Sequence, residues 1–204
     1  MKNFSNKYIF LYITALVVII AGLLSVVSIV LKPRQMQNQE IEKAQQILQA
    51  AGYDQIAKED ALPLFSKIAA PLESSTQREM YTIQCADGMQ GTVIFVDGKG
   101  LWGKIWGYVV LADDFNTIKG AVFSHKSETP GLGANITEKK FADSFIGKKI
   151  YDSNGKFVSI KILQKGKSGG GVEEANRIDA ISGATITSNG VQEMLYKSIK
   201  EVEK

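Results

Sequence analysis

The sequence predicts an α+β fold: one N-terminal membrane-spanning helix, followed by a domain with a mainly antiparallel sheet and helices packed on it. Three observations carry this expectation. Tyr8 to Leu31 is a run of 24 residues without a charge, and a helix needs about 20 to cross the hydrocarbon core of a bilayer. From Met80 to Phe123, short apolar stretches alternate with turn signals, the pattern of sequential antiparallel strands. The last residues, Ser188 to Lys204, are amphipathic with helical period.

Residues 1–7 form a polar tail and 8–31 the membrane helix. A cleaved signal peptide has a shorter apolar core, about 7–15 residues, and a small-residue cleavage site. This run instead ends in Lys32-Pro33-Arg34, and no cysteine stands near its end to suggest a lipoprotein signal. Lys2 and Lys7 on one side and Lys32, Arg34 and Lys43 on the other leave the positive-inside rule close to a tie. Residues 32–78 read as a helical connector. Ile41, Ala44, Ile47, Leu48 and Ala51 fall at helical spacing, Gly52 closes that helix, and Pro33 marks a break or kink before it. Ala61 to Ser75, with Pro63 and Pro71, is mixed and reads as a connector.

Residues 79–204 make the folded domain. Tyr81, Ile83 and Cys85 alternate as a strand. Val93 to Val96 forms a second strand, ending at the turn signal Asp97-Gly98. Trp106 to Ala112 is a third strand, closed by Asp113-Asp114, and Ile118 to Phe123 a fourth. Thr137 to Lys148 is a short helix with Phe141, Phe145 and Ile146 on its apolar face. Val158, Ile160 and Ile162 alternate as a further strand, and Lys165 to Gly171 is a glycine-rich loop. Val191, Met194, Leu195 and Ile199 are the inner stripe of the final helix.

Composition removes several function classes. The net charge is +3 with Lys and Glu interspersed, so no basic block points to nucleic acid. One cysteine, Cys85, and one histidine, His125, leave no thiolate set for an iron–sulfur cluster or structural zinc within the chain, and no histidine cluster. A redox group here would be organic. Cys85 reads as a small core residue, and His125 as a packing or surface residue.

Two glycine- and hydroxyl-rich segments stand out. Asp179-Ala-Ile-Ser-Gly-Ala-Thr185 leads into the last helix through Ile186, Thr187, Ser188, Asn189 and Gly190. Hydroxyls at a helix N-terminus meet unpaired amides and the positive end of the helix dipole, which favours phosphate. The plainer account is that Thr187 or Ser188 caps the helix. Glu128-Thr-Pro-Gly-Leu-Gly133 is either an ordinary turn or a backbone cradle for a flat ring beside Leu132. Gly98-Lys-Gly-Leu-Trp102 is either a hairpin turn with a core Trp or a cover for a ring face. There is no dinucleotide fingerprint. Gly166-Lys167-Ser168 has the tail of a P-loop, but Lys161 stands where its first glycine belongs. Gly166 to Gly170 fits a nucleophile elbow in letters only, since glycine rather than a helix follows. That segment reads as a flexible loop.

Together these residues resemble the FMN-binding domain family. Asp179-Ala-Ile-Ser-Gly-Ala-Thr185 is similar, without departure, to its flavinylation motif, and Glu128 to Gly133 to its flavin-contacting stretch. The resemblance implies covalent FMN on Thr185, a phosphoester that makes it an FMN phosphoryl threonine, with Asp179, Ser182, Gly183 and Ala184 recognised by a flavin transferase. It places Glu128, Thr129, Leu132 and Gly133 along the isoalloxazine, Trp102 beside it, and Ile186, Thr187 and Ser188 at the phosphodiester. Gly98 to Trp102, with Tyr108 to Leu111 and the single anchor, is similar to the C subunit of sodium-translocating NADH:quinone oxidoreductases. The G subunit of Rnf-type ferredoxin:NAD oxidoreductases shares the anchor and both glycine motifs, but not the Gly-Leu-Trp region.

The implied role is electron relay within a sodium-pumping complex that takes electrons from NADH to a quinone such as ubiquinone, with other integral membrane subunits as partners. The chain alone is not expected to be catalytic. The implied location is the inner, cytoplasmic membrane, single-pass, with the flavin domain on the periplasmic or outer side. Two other classes are a membrane-anchored FMN-binding module that is not an enzyme, and a phosphate- or peptide-binding anchor without cofactor. Covalent flavin separates the last from the others.

Overall fold

A computed structural model of the chain describes residues 5–72, 78–166 and 170–202. The chain divides into two compact units, residues 1–42 and 43–204. The first is the N-terminal part of α1, a helix over Asn6–Ala50. It is the one helix among the described residues long and apolar enough to cross a membrane, and its apolar window is wholly exposed in the isolated chain. The helix runs without interruption through Pro33, where the sequence predicts a break or kink. Proline removes a single N–H from the ladder, and the neighbours Leu31, Lys32, Arg34, Gln35 and Met36 are all good helix formers that sustain the turns around it.

The second unit opens with the C-terminal turns of α1, where Ala44, Ile47, Leu48 and Ala50 are buried. Gly52 follows at φ +91, and Tyr53 N–H donates to the Leu48 carbonyl, a glycine C-terminal stop of the expected kind. The connector holds a helix, α2 (Lys58–Ile68), and a short edge strand, β1 (Ala69–Pro71). Pro63 sits inside α2. Pro71 lies on the sheet edge, where a missing N–H costs no ladder bond. Residues 73–75 of that connector lie outside the described residues.

The sheet is a meander, β1-β2-β3-β4-β5, with β2 Met80–Gln84, β3 Gln90–Lys99, β4 Lys104–Ala112 and β5 Ile118–His125, all antiparallel. β3 does not stop at Asp97-Gly98: Gly98 pairs with Ile105, and the hairpin turns at Gly100–Gly103. The glycine serves packing, since a Cβ on Gly98 would lie 2.8 Å from Met194 Cβ.

Both faces of the sheet are covered, which explains why Val93 to Val96 reads as a continuous apolar run. Ile94, Val96, Ile105, Val109, Ala121 and Phe123 join the main core with Val191, Met194, Leu195 and Ile199 of the last helix, α4 (Thr185–Val202). The opposite face receives the end of α1: Gln46 Nε2 donates to Ser124 Oγ at 3.1 Å, and the Ala50 carbonyl lies over Gly120.

After β5 come a 3₁₀ turn (Gly133–Thr137) and a helix, α3 (Lys139–Asp143), shorter than expected. Phe141 and Phe145 are buried and stack on Phe123, but Ile146 is 55% exposed rather than part of the inner face. Of the expected strand at Val158–Ile162, only β6 (Lys161–Leu163) forms, paired in parallel with β7 (Arg177–Asp179). In the glycine-rich loop, Lys165 and Gly166 form a turn, while residues 167–169 lie outside the described residues.

Candidate functional site

Three segments distant in sequence converge on one carboxylate. The first is the β3–β4 turn, closed by Gly100 N–H on the Gly103 carbonyl at 2.8 Å. The second is the loop leaving β5, where Leu132 and Ala134 both donate to the Thr129 carbonyl around Gly131 at φ +74. The third is the turn Ala180–Ala184 and the start of α4.

Glu128 is 4% exposed. One of its oxygens accepts Trp102 N–H at 2.8 Å, and the other accepts the Thr187 hydroxyl at 2.6 Å. Its own N–H donates to His125 Nδ1 at 3.2 Å. Burial pushes the Glu128 carboxyl pKa up. The bonds from Thr187 and from the amides of Trp102, Leu101 and Gly103 outweigh it and hold the group below its ordinary value. Three consecutive amides facing an anion form a backbone nest.

Around this buried anion lies an exposed apolar surface. Trp102 is 66% exposed, Leu132 43% and Ile186 58%. Leu132 packs on Gly183, where a Cβ would meet its Cδ2 at 2.8 Å; Gly183 also sits at φ +75, which glycine alone adopts freely. Thr185 is the first residue of α4 and is exposed, with no acidic side chain in the first turn to neutralise the helix dipole. On the other flank of the turn, Asp179, Ile181 and Ser182 line a cavity of about 360 Å³ with Lys140, Phe141 and Lys165.

All the site residues read from the sequence fall on these three segments, but they divide in two. Trp102, Thr129, Leu132, Ser182, Gly183, Thr185 and Ile186 are exposed or nearly so, whereas Glu128, Gly133, Ala184, Thr187 and Ser188 are buried. Glu128, expected along a ring, and Thr187 and Ser188, expected at a phosphodiester, are hydrogen-bonded within the chain. The Thr187 hydroxyl is spent on Glu128, and Ser188 Oγ accepts Ile181 N–H at 3.2 Å. The reason is the helix start: α4 begins three residues earlier than the sequence suggests, so Thr187 and Ser188 face inward and Thr185 outward. Leu101, 44% exposed beside Trp102, and His125, read from the sequence only as part of a glycine-flanked turn and as a packing or surface residue, both belong to the site. An apolar residue between two turn glycines was the signal for Leu101; nothing in the sequence ties His125 to the Glu128 amide. Cys85 is buried in the core, and burial pushes its thiol pKa up.

The residues present fit a flavin mononucleotide. An accessible hydroxyl on an unneutralised helix N-terminus suits the phosphate, and the apolar faces of Leu101, Trp102, Leu132 and Ile186 suit a flat ring on an open surface. Comparison with known proteins agrees with that fit. The FMN-binding domain family matches residues 100–200. Curated relatives include the C subunits of the Na⁺-translocating NADH-quinone reductases of Neisseria meningitidis, 40% identical over 115 residues, and of Vibrio campbellii, 35% identical over 158 residues. The alignments cover 56% and 74% of this chain, and the chain spans 43% and 59% of the length of those relatives. A solved structure of the C subunit from Parabacteroides distasonis is similar over 83% of this chain and 93% of its own, with a TM-score of 0.74 and 34% identity. The chain therefore belongs to the family formed by the C subunits of the Na⁺-translocating NADH-quinone reductases.

Proposed function

We propose that this protein is the electron-transfer flavin subunit of a sodium-translocating NADH:quinone oxidoreductase, with FMN bound covalently through its phosphate to Thr185. The observation that carries the reading is the exposed Thr185 hydroxyl at the first position of α4, beside the open apolar faces of Trp102, Leu132 and Ile186.

Attachment forms a bond between Thr185 Oγ and the flavin phosphorus. The donor must be an activated flavin nucleotide carrying FMN through a phosphoanhydride. That P–O bond breaks, the nucleoside monophosphate leaves, and the hydroxyl proton passes to a base of the flavin transferase. Asp179 and Ser182, exposed on the cavity beside the acceptor turn, are the groups the transferase meets. The free amides at the start of α4 stabilise the phosphodiester charge, while Leu132 and Trp102 bracket the ring and Thr129 borders it.

FMN supplies reversible uptake and release of electrons. The chain offers it a surface rather than a substrate pocket, and a covalent tether keeps a shallow site occupied by raising the local concentration of its ligand. A flavin so exposed exchanges electrons with the other integral membrane subunits of the complex. The apolar stretch of α1 anchors the chain in the inner, cytoplasmic membrane as a single pass, with the flavin domain on its outer side. Sodium movement belongs to the assembled complex.

The test is intact-mass measurement of the full chain, expressed in membranes with a flavin transferase, beside Thr185→Ala. The wild type gains the mass of FMN less water, mapped to the Asp179–Thr187 peptide, and Thr185→Ala gains none while keeping its far-UV circular dichroism. Covalent flavin on Thr185→Ala sinks the assignment.

A further inference from the structure

Glu128 carries a burden that neither ring contact nor attachment chemistry explains. Each of its oxygens faces a position that only glycine fits: a Cβ on Gly100 would lie 2.6 Å from one oxygen, and a Cβ on Gly133 2.5 Å from the other. The space is shaped around a carboxylate. The partners lie 26 residues before it, at Trp102, and 59 after it, at Thr187. A third bond, to His125 Nδ1 at 3.2 Å, seats its backbone at the end of β5.

We propose that Glu128 is the positioning residue of the flavin site: its buried carboxylate clamps the first turn of α4 to the Gly100–Gly103 turn, holding the Thr185 hydroxyl in register with the apolar platform before FMN arrives. The inference rests on the reading of Thr185 as the flavin-bearing residue.

Two residues along a helix project about 200° apart. Thr187 pulled inward onto Glu128 therefore sets Thr185 outward, on the side where Leu132 closes over Gly183. The same carboxylate fixes the backbone of Trp102 from the opposite turn. Among the described residues the start of α4 is otherwise tied to the β3–β4 turn by packing, and a hydroxyl displaced by about 1 Å from its reaction geometry loses about a hundredfold in transfer rate. The group stays ionised, which is the form that accepts all of these bonds. Glu128 takes no part in the transfer itself.

The experiment follows attachment by intact mass over time on the full membrane-embedded chain, with a flavin transferase and its flavin nucleotide donor. It compares wild type, Glu128→Gln, Thr187→Val, the double variant and Thr187→Ser. Both single losses slow attachment at least tenfold, the double variant is no slower than the slower single, and Thr187→Ser, which keeps the hydroxyl, stays within about twofold of wild type; two ends of one bond give such a non-additive cycle. Far-UV circular dichroism checks each fold, and Thr187→Val keeps the test decisive if Glu128→Gln fails to fold. Attachment at the wild-type rate in a folded Glu128→Gln or Thr187→Val, losses that multiply in the double variant, or Thr187→Ser as slow as Thr187→Val overturns the positioning role. Wild type that gains no mass overturns the reading of Thr185 itself, and the clamp with it.

Discussion

Ser159 adopts φ +56 while 1% exposed, and its hydroxyl has no partner in the described structure. Both features cost free energy: about 1 kcal/mol for a side chain in left-handed backbone, and more for a buried hydroxyl without a hydrogen bond. Ser159→Gly removes both and loses only some chain entropy, so it stabilises the domain by about 0.5–1 kcal/mol. Urea unfolding compares the two proteins, and a lower midpoint for Ser159→Gly contradicts the account. The strain was invisible beforehand, because serine at this point of an alternating Val158-Ser-Ile160 pattern reads as ordinary strand. The flavin motifs were legible for the opposite reason. Asp179 to Thr185 and Glu128 to Gly133 are local, contiguous signals. The bond between Glu128 and Thr187 joins residues 59 apart, a separation at which periodicity and turn chemistry carry no information.

At the scale of elements, the sequence located most strands and misjudged their ends. Strong local patterns survived: the apolar run of α1, the alternation in β2, the apolar stretches of β4 and β5, and the inner stripe of α4. Errors fell where tertiary packing overrides a local rule. Asp97-Gly98 has the letters of a turn, yet its glycine exists so that Met194 can approach β3. Pro63 reads as a breaker and lies inside α2. The parallel pair β6–β7 is only three residues long on each side, and alternation marked β6 alone. The seat of α1 on the sheet has a similar origin. A Cβ on Gly120 would stand 2.1 Å from the Ala50 carbonyl, a clash with backbone that no rotamer relieves. Gly120→Ala forces the C-terminal turns of α1 off β5 and destabilises the domain by about 1–3 kcal/mol. A thermal midpoint unchanged from wild type would show that the helix end yields freely.

At the scale of the whole molecule, titratable groups bound the pH range in which the domain holds together. On the acid side, Asp97, Asp114 and Glu128 have carboxyl pKa values held below their ordinary range. A carboxylate depressed on folding adds stability above its unfolded pKa, and that stability is lost as pH falls through the folded value. The alkaline limit arises at Tyr108 and Lys43. Burial pushes the Tyr108 phenol up to about 12. Burial alone would lower the Lys43 ammonium pKa; its bonds to Glu79 and Tyr81 dominate and raise it to about 12. In both cases the folded chain keeps a proton that the unfolded chain releases at lower pH, near 10 for tyrosine and 10.5 for lysine. Stability from these groups is complete below that pH and declines between about 10 and 12. Tyr108→Phe removes the phenol titration without removing the ring that packs on Phe95. Urea midpoints measured at pH 7 and pH 11 separate the effects. The wild type loses more between the two than Tyr108→Phe does, because phenylalanine has no proton to surrender. Equal losses in the two proteins would mean that Tyr108 does not resist ionisation in the fold, and that the alkaline limit belongs to other groups, the Lys43–Glu79–Tyr81 cluster and the buried Cys85 thiol among them.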